Sequence, residues 1–167
     1  LFFGGGWNSG SAIQFARHAA YLASRGMVAA CADYRVLSRH NVTPDVCVRD
    51  ARSAVRWLKC RADVLGVDPD RLVAAGGSAG GHLSACTALC DGEDDPRDDT
   101  SIDPRPAALV LFNPALTISD RVAEKHDLAD GVRRRISPLD RLDKTVPPTI
   151  MFFGDEDRVV SLQAARD

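Results

Sequence analysis

The sequence predicts the α/β class, with a mainly parallel sheet that carries helices on both faces. Short, nearly continuous apolar runs bounded by Gly, Pro or Asp alternate along the chain with stretches of helical periodicity. Such runs are typical of strands buried on both faces, and their alternation with helices favours parallel pairing. The 167 residues, 45% of them hydrophobic, suit one domain over 1–167, which we expect to be incomplete at both ends.

Five segments are expected to form the sheet. A strand-like Leu1-Phe2-Phe3 opens the chain. Four further apolar runs are predicted to be buried strands: 27–33, 71–75, 107–112 and 149–153. Because residue 1 is Leu, we expect the true N-terminus, with any export signal, to be missing, and no compartment is predicted.

Three helices are predicted between these strands. Apolar stripes define the first two, at Phe15, His18, Ala19, Leu22 and Ala23 and at Cys47, Ala51, Ala54, Val55, Leu58 and Ala62. Thr43 and Pro44 suit the start of the second helix because Thr caps and Pro fits the first turn, and Gly66 is expected to end it. The third helix is predicted over 78–89, with one face at Ala79, His82, Leu83 and Cys86.

Two stretches interrupt the alternation of strands and helices. Residues 91–105 are rich in Asp, Pro and Gly and lack the ordered ligand spacing of a calcium loop, so we expect a solvated loop. Residues 118–145 are charged and include the basic cluster Arg133, Arg134 and Arg135. We expect them to form an insertion over the edge of the sheet, and they are a candidate for a small cap.

Composition argues against several classes of partner. The 21 Lys and Arg against 23 Asp and Glu give a formal charge of -2, which favours neither nucleic acid nor an anionic membrane. No apolar run reaches the roughly 20 residues of a membrane span. The five cysteines form no C-x-x-C pair and are expected to be mostly buried free thiols. The sequence predicts no metal and no cofactor, and it indicates no oligomeric state.

The most specific motif is Gly76-Gly77-Ser78-Ala79-Gly80-Gly81, which lies between a predicted strand and a predicted helix. This is the context of a G-x-S-x-G nucleophile elbow. A turn sharp enough to raise the Ser78 hydroxyl above the sheet leaves no room for side chains at Gly76 and Gly80. The motif predicts that Ser78 is an exposed nucleophile in a strained conformation.

A nucleophilic serine needs hydrogen-bond donors for the oxyanion that forms in the transition state. The N–H of Ala79, directly after Ser78 at the start of a helix, is one candidate. The loop Phe3-Gly4-Gly5-Gly6-Trp7, after the first strand, is expected to supply the second donor because bare backbone can approach a substrate there.

An acid is also needed to orient a catalytic histidine and to stabilise its charged form. The segment after the last predicted strand reads Gly154-Asp155-Glu156-Asp157. We prefer Asp157 to Asp155 as this acid, because Asp155 and Glu156 suit the turn itself.

Taken together, these motifs resemble the α/β-hydrolase esterases of the hormone-sensitive-lipase and acetyl-esterase branch. The matching pieces extend over nearly the whole chain and also include Asp33-Tyr34-Arg35, Asn113-Pro114 and Ser137-Pro138-Leu139. The resemblance implies that Ser78 attacks the substrate and that Asp157 is the triad acid. It also implies oxyanion donors at Gly5, Gly6 and Ala79.

The chain departs from the family pattern in two places. The usual His-Gly-Gly-Gly loop here begins with Phe3, which keeps the backbone donors but removes a side chain that helps to fix the loop. The family's catalytic histidine should follow Asp157 by a few tens of residues, and it is not in this chain. His82 is expected to point into the packing under the elbow and His18 to be structural. Neither His40, in a loop, nor His126, in the charged insertion, is expected to be the base.

The resemblance implies a serine carboxylester hydrolase that acts on a small-molecule ester, with short acyl groups such as acetyl favoured. Without its histidine, the chain as given is expected to be nearly inactive. Two alternatives stay open. One is a serine peptidase of the same fold, and the other is a non-catalytic relative that keeps the pocket for binding.

Overall fold

The computed structural model describes residues 1–142 and 145–160, and its centre is a parallel sheet. The three strands, in sheet order, are β1 (Val73–Gly77), β2 (Ala108–Phe112) and β3 (Thr149–Phe152). Phe2 extends the sheet beyond β1 through isolated parallel bridges to Gly76 on one side and Ala32 on the other. The prediction of an α/β fold with a parallel sheet is confirmed.

The described residues contain seven α-helices and three short 3-10 helices. The α-helices are α1 (Ala16–Ser24), α2 (Leu37–His40), α3 (Pro44–Cys60), α4 (Ala62–Leu65), α5 (Ala79–Leu89), α6 (Asp120–Lys125) and α7 (Asp130–Arg135). The 3-10 helices span Ala12–Phe15, Pro69–Arg71 and Pro138–Arg141. No described helix has the length and apolar character needed to cross a membrane.

Helices cover both faces of the sheet at the end of β1. A Cβ built on Gly76 would lie 2.4 Å from the carbonyl oxygen of Gly80 in α5, whereas one on Gly77 would lie 3.4 Å from the ring of Phe15. Because successive strand residues point to opposite faces, α5 and the helix Ala12–Phe15 lie on opposite sides of β1.

The core lies between the sheet, α5 and α3. Every residue of α5 is buried, and α3 packs on it through a buried stripe that includes Cys47, Val48, Ala51 and Val55. The start predicted for the second helix is confirmed, although the Thr43 side chain makes no capping bond. In the predicted stripe, Cys47, Ala51 and Val55 are buried, Ala54 and Leu58 are half-buried, and Ala62 lies in α4. Gly66, with φ 66°, ends α4 rather than α3, which stops at Cys60.

The prediction of a strand over 27–33 is wrong, since only Ala32 forms a bridge there. The backbone N–H of Ala32 donates to the Leu1 carbonyl, and the Leu1 amino group donates to the Ala30 carbonyl. The described neighbour of this segment is the short stretch of Leu1 and Phe2, which is too short for a ladder. Met27 and Val28 are accordingly 57% and 60% exposed.

The prediction that the strands are buried on both faces holds for most of β1 but is wrong for β3. Ile150, Met151 and Phe152 are 50%, 42% and 48% exposed. β3 lies at the edge of the described sheet, with β2 as its main neighbour. The predicted stripe of the first helix holds only in part, because Phe15 is buried and Ala19 and Leu22 are half-buried, whereas His18 and Ala23 are exposed.

The segment 91–105 is not a simple solvated loop, because its acids are docked on α3. The Arg52 Nε and Arg56 Nη1 both lie 2.7 Å from Asp94 Oδ1, and Arg56 also pairs with Asp98. Both arginines are almost fully buried, and Glu93 is 3% exposed. Burying two guanidinium groups is costly unless carboxylates accompany them, and the loop supplies those carboxylates.

The predicted insertion packs against α5 and the glycine loop rather than over the edge of the sheet. It contains α6, α7 and the helix Pro138–Arg141, and Ile118 and Ile136 are its fully buried anchors. Residues 143–144 of the predicted cap, and residues 161–167 of the predicted domain, lie outside the described residues.

All five cysteines are free: Cys47, Cys86 and Cys90 are buried, Cys31 is half-buried and Cys60 is exposed. The expectation of mostly buried free thiols is thus met at three positions. Within residues 1–142 and 145–160, no cluster of His, Cys, Asp and Glu could hold a metal ion.

Candidate active site

Ser78 occupies a sharp turn between β1 and α5. Its backbone has φ 53° and ψ -119°, in a region that residues with a Cβ rarely adopt, and it precedes the first residue of α5. Its N–H donates to the carbonyl of Phe112 at the end of β2, at 2.9 Å. The Ser78 side chain is half-buried, and its hydroxyl bonds to no other described residue.

The glycines on either side of Ser78 allow the backbone segments to meet. A Cβ on Gly80 would lie 2.0 Å from the carbonyl oxygen of Phe2 and 2.4 Å from that of Phe3. The Cβ of any other residue would overlap these atoms, so the turn requires glycine there. These distances fit the steric argument made from the sequence for Gly76 and Gly80.

The glycine loop lies directly against Ser78. A Cβ on Gly4 would be 3.3 Å from the Ser78 Cβ, and the Gly4 N–H is occupied by Gln14 Oε1 at 2.6 Å. Gly5 and Gly6 are exposed and have φ 142° and 61°. Among the described residues, the N–H groups of Gly5, Gly6 and Ala79 have no acceptor, so they are free for a ligand.

Four side chains from distant parts of the chain hold this loop. Besides Gln14 on Gly4, the Tyr34 hydroxyl donates to the Phe3 carbonyl at 2.7 Å. Trp7 Nε1–H donates to His82 Nδ1 at 3.2 Å, and His126 Nε2–H donates to the Gly6 carbonyl at 3.2 Å. The sequence did not predict these contacts, including the one between the His126 imidazole and the loop. These side chains supply the support expected to be lost with Phe3.

Asp157 follows β3 by five residues and is held by the backbone around it. Its Oδ1 accepts hydrogen bonds from the N–H groups of Val159 and Val160, at 2.8 and 3.0 Å. These bonds, together with one from the Asn113 side chain, lower the pKa of Asp157 below its usual range. The carboxylate therefore stays charged in mild acid.

Ser78, Asn113 and Asp157 follow three neighbouring parallel strands, β1, β2 and β3. In open parallel sheets, the carboxyl ends of the strands form the edge at which ligands bind. The structure thus brings Ser78, the glycine loop and Asp157 to one edge of the sheet.

The four histidines of the chain are engaged elsewhere. His82 bonds to Trp7 and to the Ile136 carbonyl, and His126 to Gly6. His40 Nδ1 accepts the N–H of Val36, and the exposed His18 ring lies 5.1 Å from that of Phe15. In the described part of the chain, none of them bonds to the Ser78 hydroxyl or the Asp157 carboxylate.

His82 makes the stability of the protein depend on pH. Burial lowers its pKa from the ordinary 6.5 to about 4. Between pH values of about 4 and 6.5, the His82 imidazole is protonated in the unfolded chain but neutral in the folded chain. The free energy of unfolding is therefore highest above the unfolded pKa and falls as the pH drops. We expect a loss of about 2 kcal/mol in the free energy of unfolding between pH 7 and pH 5.

Urea unfolding at the two pH values measures this loss. His82→Gln is the control, since its side chain does not titrate and the pH dependence should flatten by about the same amount. An unchanged pH dependence in the variant would show that His82 is not the cause.

The BD-FAE family model matches residues 1–108 of the chain. Among curated proteins, esterase LipC of Mycobacterium tuberculosis is 31% identical over 98% of this chain and 45% of its own length. The probable carboxylic ester hydrolase LipM of the same organism is 30% identical over 98% of the chain and 42% of its own length. The chain thus spans less than half the length of these relatives.

Solved structures of Thermogutta terrifontis esterase 2 are also similar to the chain. The form phosphoramylated by tabun has a TM-score of 0.92 and 45% identity, over 99% of this chain and 62% of that protein. The butyrate-bound form has a TM-score of 0.91 and 43% identity, over 99% of this chain and 63% of that protein. These structures extend the likeness of fold to essentially the whole chain.

Proposed function

The chain belongs to the BD-FAE family of α/β-hydrolase esterases, and from that premise we propose that the protein is a serine carboxylester hydrolase. The observation that carries this proposal is that Ser78 lies beside the glycine loop with its free N–H groups, while Asp157 follows a strand of the same parallel sheet at the same edge. Fold alone would not indicate an activity, because one fold supports many.

In the proposed reaction, the Ser78 hydroxyl oxygen attacks the carbonyl carbon of the ester while its proton passes to a histidine. The N–H groups of Gly5, Gly6 and Ala79 donate to the oxyanion that develops on the carbonyl oxygen. The alcohol leaves with the proton from the histidine, and water then hydrolyses the acyl-enzyme by the same steps.

Asp157 is proposed to orient that histidine and to stabilise its charged form. The two backbone N–H groups on Oδ1 fix the carboxylate. The same bonds keep it ionised, as a partner for an imidazolium must be. Because the histidines of this chain are engaged elsewhere, we propose that the general base follows residue 167 in the full-length protein and that the chain to residue 167 is nearly inactive alone.

A small acyl group is the proposed substrate preference. Thermogutta terrifontis esterase 2 has been solved with propionate and with butyrate bound.

We also propose that the insertion over 118–145 is a small cap on a single domain. His126, directly after α6, donates a hydrogen bond to the Gly6 carbonyl. The insertion therefore borders the place where a substrate would lie.

Hydrolysis of p-nitrophenyl esters by the protein expressed from its complete gene tests this function. We expect kcat/KM to be highest for acetate to butyrate and at least about tenfold lower for decanoate, in line with the propionate and butyrate bound in the similar structures. Paraoxon should also add one diethylphosphoryl group to the tryptic peptide 72–97, which contains Ser78. A folded protein that cleaves no ester and gains no adduct would refute the proposal and favour a binding role. Cleavage of peptides in place of esters would favour a peptidase.

A further inference from the structure

His82 links the nucleophile's helix to the glycine loop. It lies one helical turn after Ser78, and its backbone N–H donates to the Ser78 carbonyl at 3.0 Å. Its fully buried imidazole accepts from Trp7 Nε1–H at Nδ1, while Nε2–H donates to the Ile136 carbonyl at 2.6 Å. Both ring nitrogens are therefore used, which requires the neutral tautomer protonated at Nε2.

Trp7 transmits this contact to the oxyanion donors. It follows Gly6 directly, is 3% exposed and has φ 56°, so its indole fixes the backbone where the loop turns. The Trp7 and His82 rings meet edge to face with centroids 5.0 Å apart. A shift of the Trp7 indole would displace the N–H groups of Gly5 and Gly6 relative to Ser78.

We propose that His82 is a positioning residue that holds the Gly5 and Gly6 donors against Ser78 through the indole of Trp7. This inference rests on the proposed esterase function, because the donors matter only if an oxyanion forms. Oxyanion donors act through fixed geometry, and displacement of one by about 1 Å can cost on the order of a hundredfold in rate. His82 lies on α5, contacts the Ser78 carbonyl through its backbone and Trp7 through its imidazole, and so fixes the loop relative to the nucleophile.

Replacing His82 by asparagine or by glutamine tests the two hydrogen bonds of its imidazole one at a time. In His82→Asn the side-chain oxygen can take the place of Nδ1 and accept from Trp7, but the side chain is too short to reach Ile136. In His82→Gln the amide can reach the Ile136 carbonyl, but no acceptor is left at the Nδ1 position. Each variant keeps one bond and leaves one buried partner unpaired, so similar losses in melting temperature are expected.

We expect His82→Gln to lower kcat on the order of tenfold or more with KM changed less than about twofold, and His82→Asn to stay within about threefold of wild type. Trp7→Phe, which removes the donor, should resemble His82→Gln. Thr87→Val is the matched control, because Thr87 is buried on the same helix and bonds only to the Ser84 carbonyl. It should lower stability without lowering kcat.

Hydrogen exchange of the Trp7 indole N–H reports directly on the hydrogen bond between Trp7 and His82. The Trp7 indole N–H should exchange slowly with solvent in the wild type and in His82→Asn, and quickly in His82→Gln. Equal kcat in the Asn and Gln variants of an active protein, or loss of kcat that follows melting temperature across all variants, would overturn the role of His82. A wild-type protein that hydrolyses no ester would instead refute the proposed function, and with it this inference.

Discussion

Replacing Ser78 by alanine is expected to lower kcat for ester hydrolysis by about 10⁶-fold, to the level left by binding and the oxyanion donors. The Ser78 side chain lies at the turn directly beside the glycine loop. It bonds to no other described residue, so its removal should leave the fold intact. Steady-state hydrolysis of p-nitrophenyl acetate by the full-length protein measures the loss, and melting temperature checks the fold.

Ser84→Ala is the matched control for this experiment. Ser84 lies on the same helix and in the same tryptic peptide, and its hydroxyl donates to the Gly80 carbonyl at 2.9 Å. Losing that bond should cost about 1 kcal/mol of stability and leave turnover within about twofold. If Ser78→Ala still hydrolysed the ester and still gained the paraoxon adduct, another nucleophile would have to be sought.

The parts of this molecule that the sequence could predict are those determined by neighbouring residues. β1 and β2 follow from apolar runs, and the start of α3 follows from Pro44, which suits the first turn. The elbow is predictable from its local G-x-S-x-G pattern, although only the crowding between Gly76 and Gly80 arises within the turn, and the carbonyls of Phe2 and Phe3 that crowd Gly80 come from the start of the chain.

The burial of these elements could not be predicted, because burial depends on what packs against them. The segment 27–33 has the composition of a strand, yet only Ala32 of this segment forms a β-bridge among the described residues. β3 has the same kind of composition and forms, but its side chains are exposed. The acids of 91–105 look solvated until the buried Arg52 and Arg56 are seen beside them.

The support of the glycine loop was likewise beyond sequence reasoning. Gln14, Tyr34, His82 and His126 contact the loop from positions 10, 31, 75 and 120 residues away in the chain. No local pattern relates residues at such separations. The departure at Phe3 suggested a loosened loop, whereas four separate hydrogen bonds hold it.

Replacing Asp157 by asparagine is expected to lower kcat by about 10⁴-fold with little change in KM, provided that the full-length protein supplies the catalytic histidine. The amide oxygen can still accept the N–H groups of Val159 and Val160, so the local backbone should be kept. What is lost is the negative charge, and with it the stabilisation of the imidazolium and of the productive tautomer.

Asp155→Asn provides the comparison, because Asp155 lies two residues earlier in the exposed turn and loses the same charge. Its kcat should stay within about twofold of wild type, since solvent and salt screen an exposed charge that makes no contact with the reacting groups. The reverse result, with turnover lost in Asp155→Asn and kept in Asp157→Asn, would move the acid to Asp155. Equal, small effects would place the acid outside this turn, and the hydrogen bonds to Asp157 would then serve only the turn.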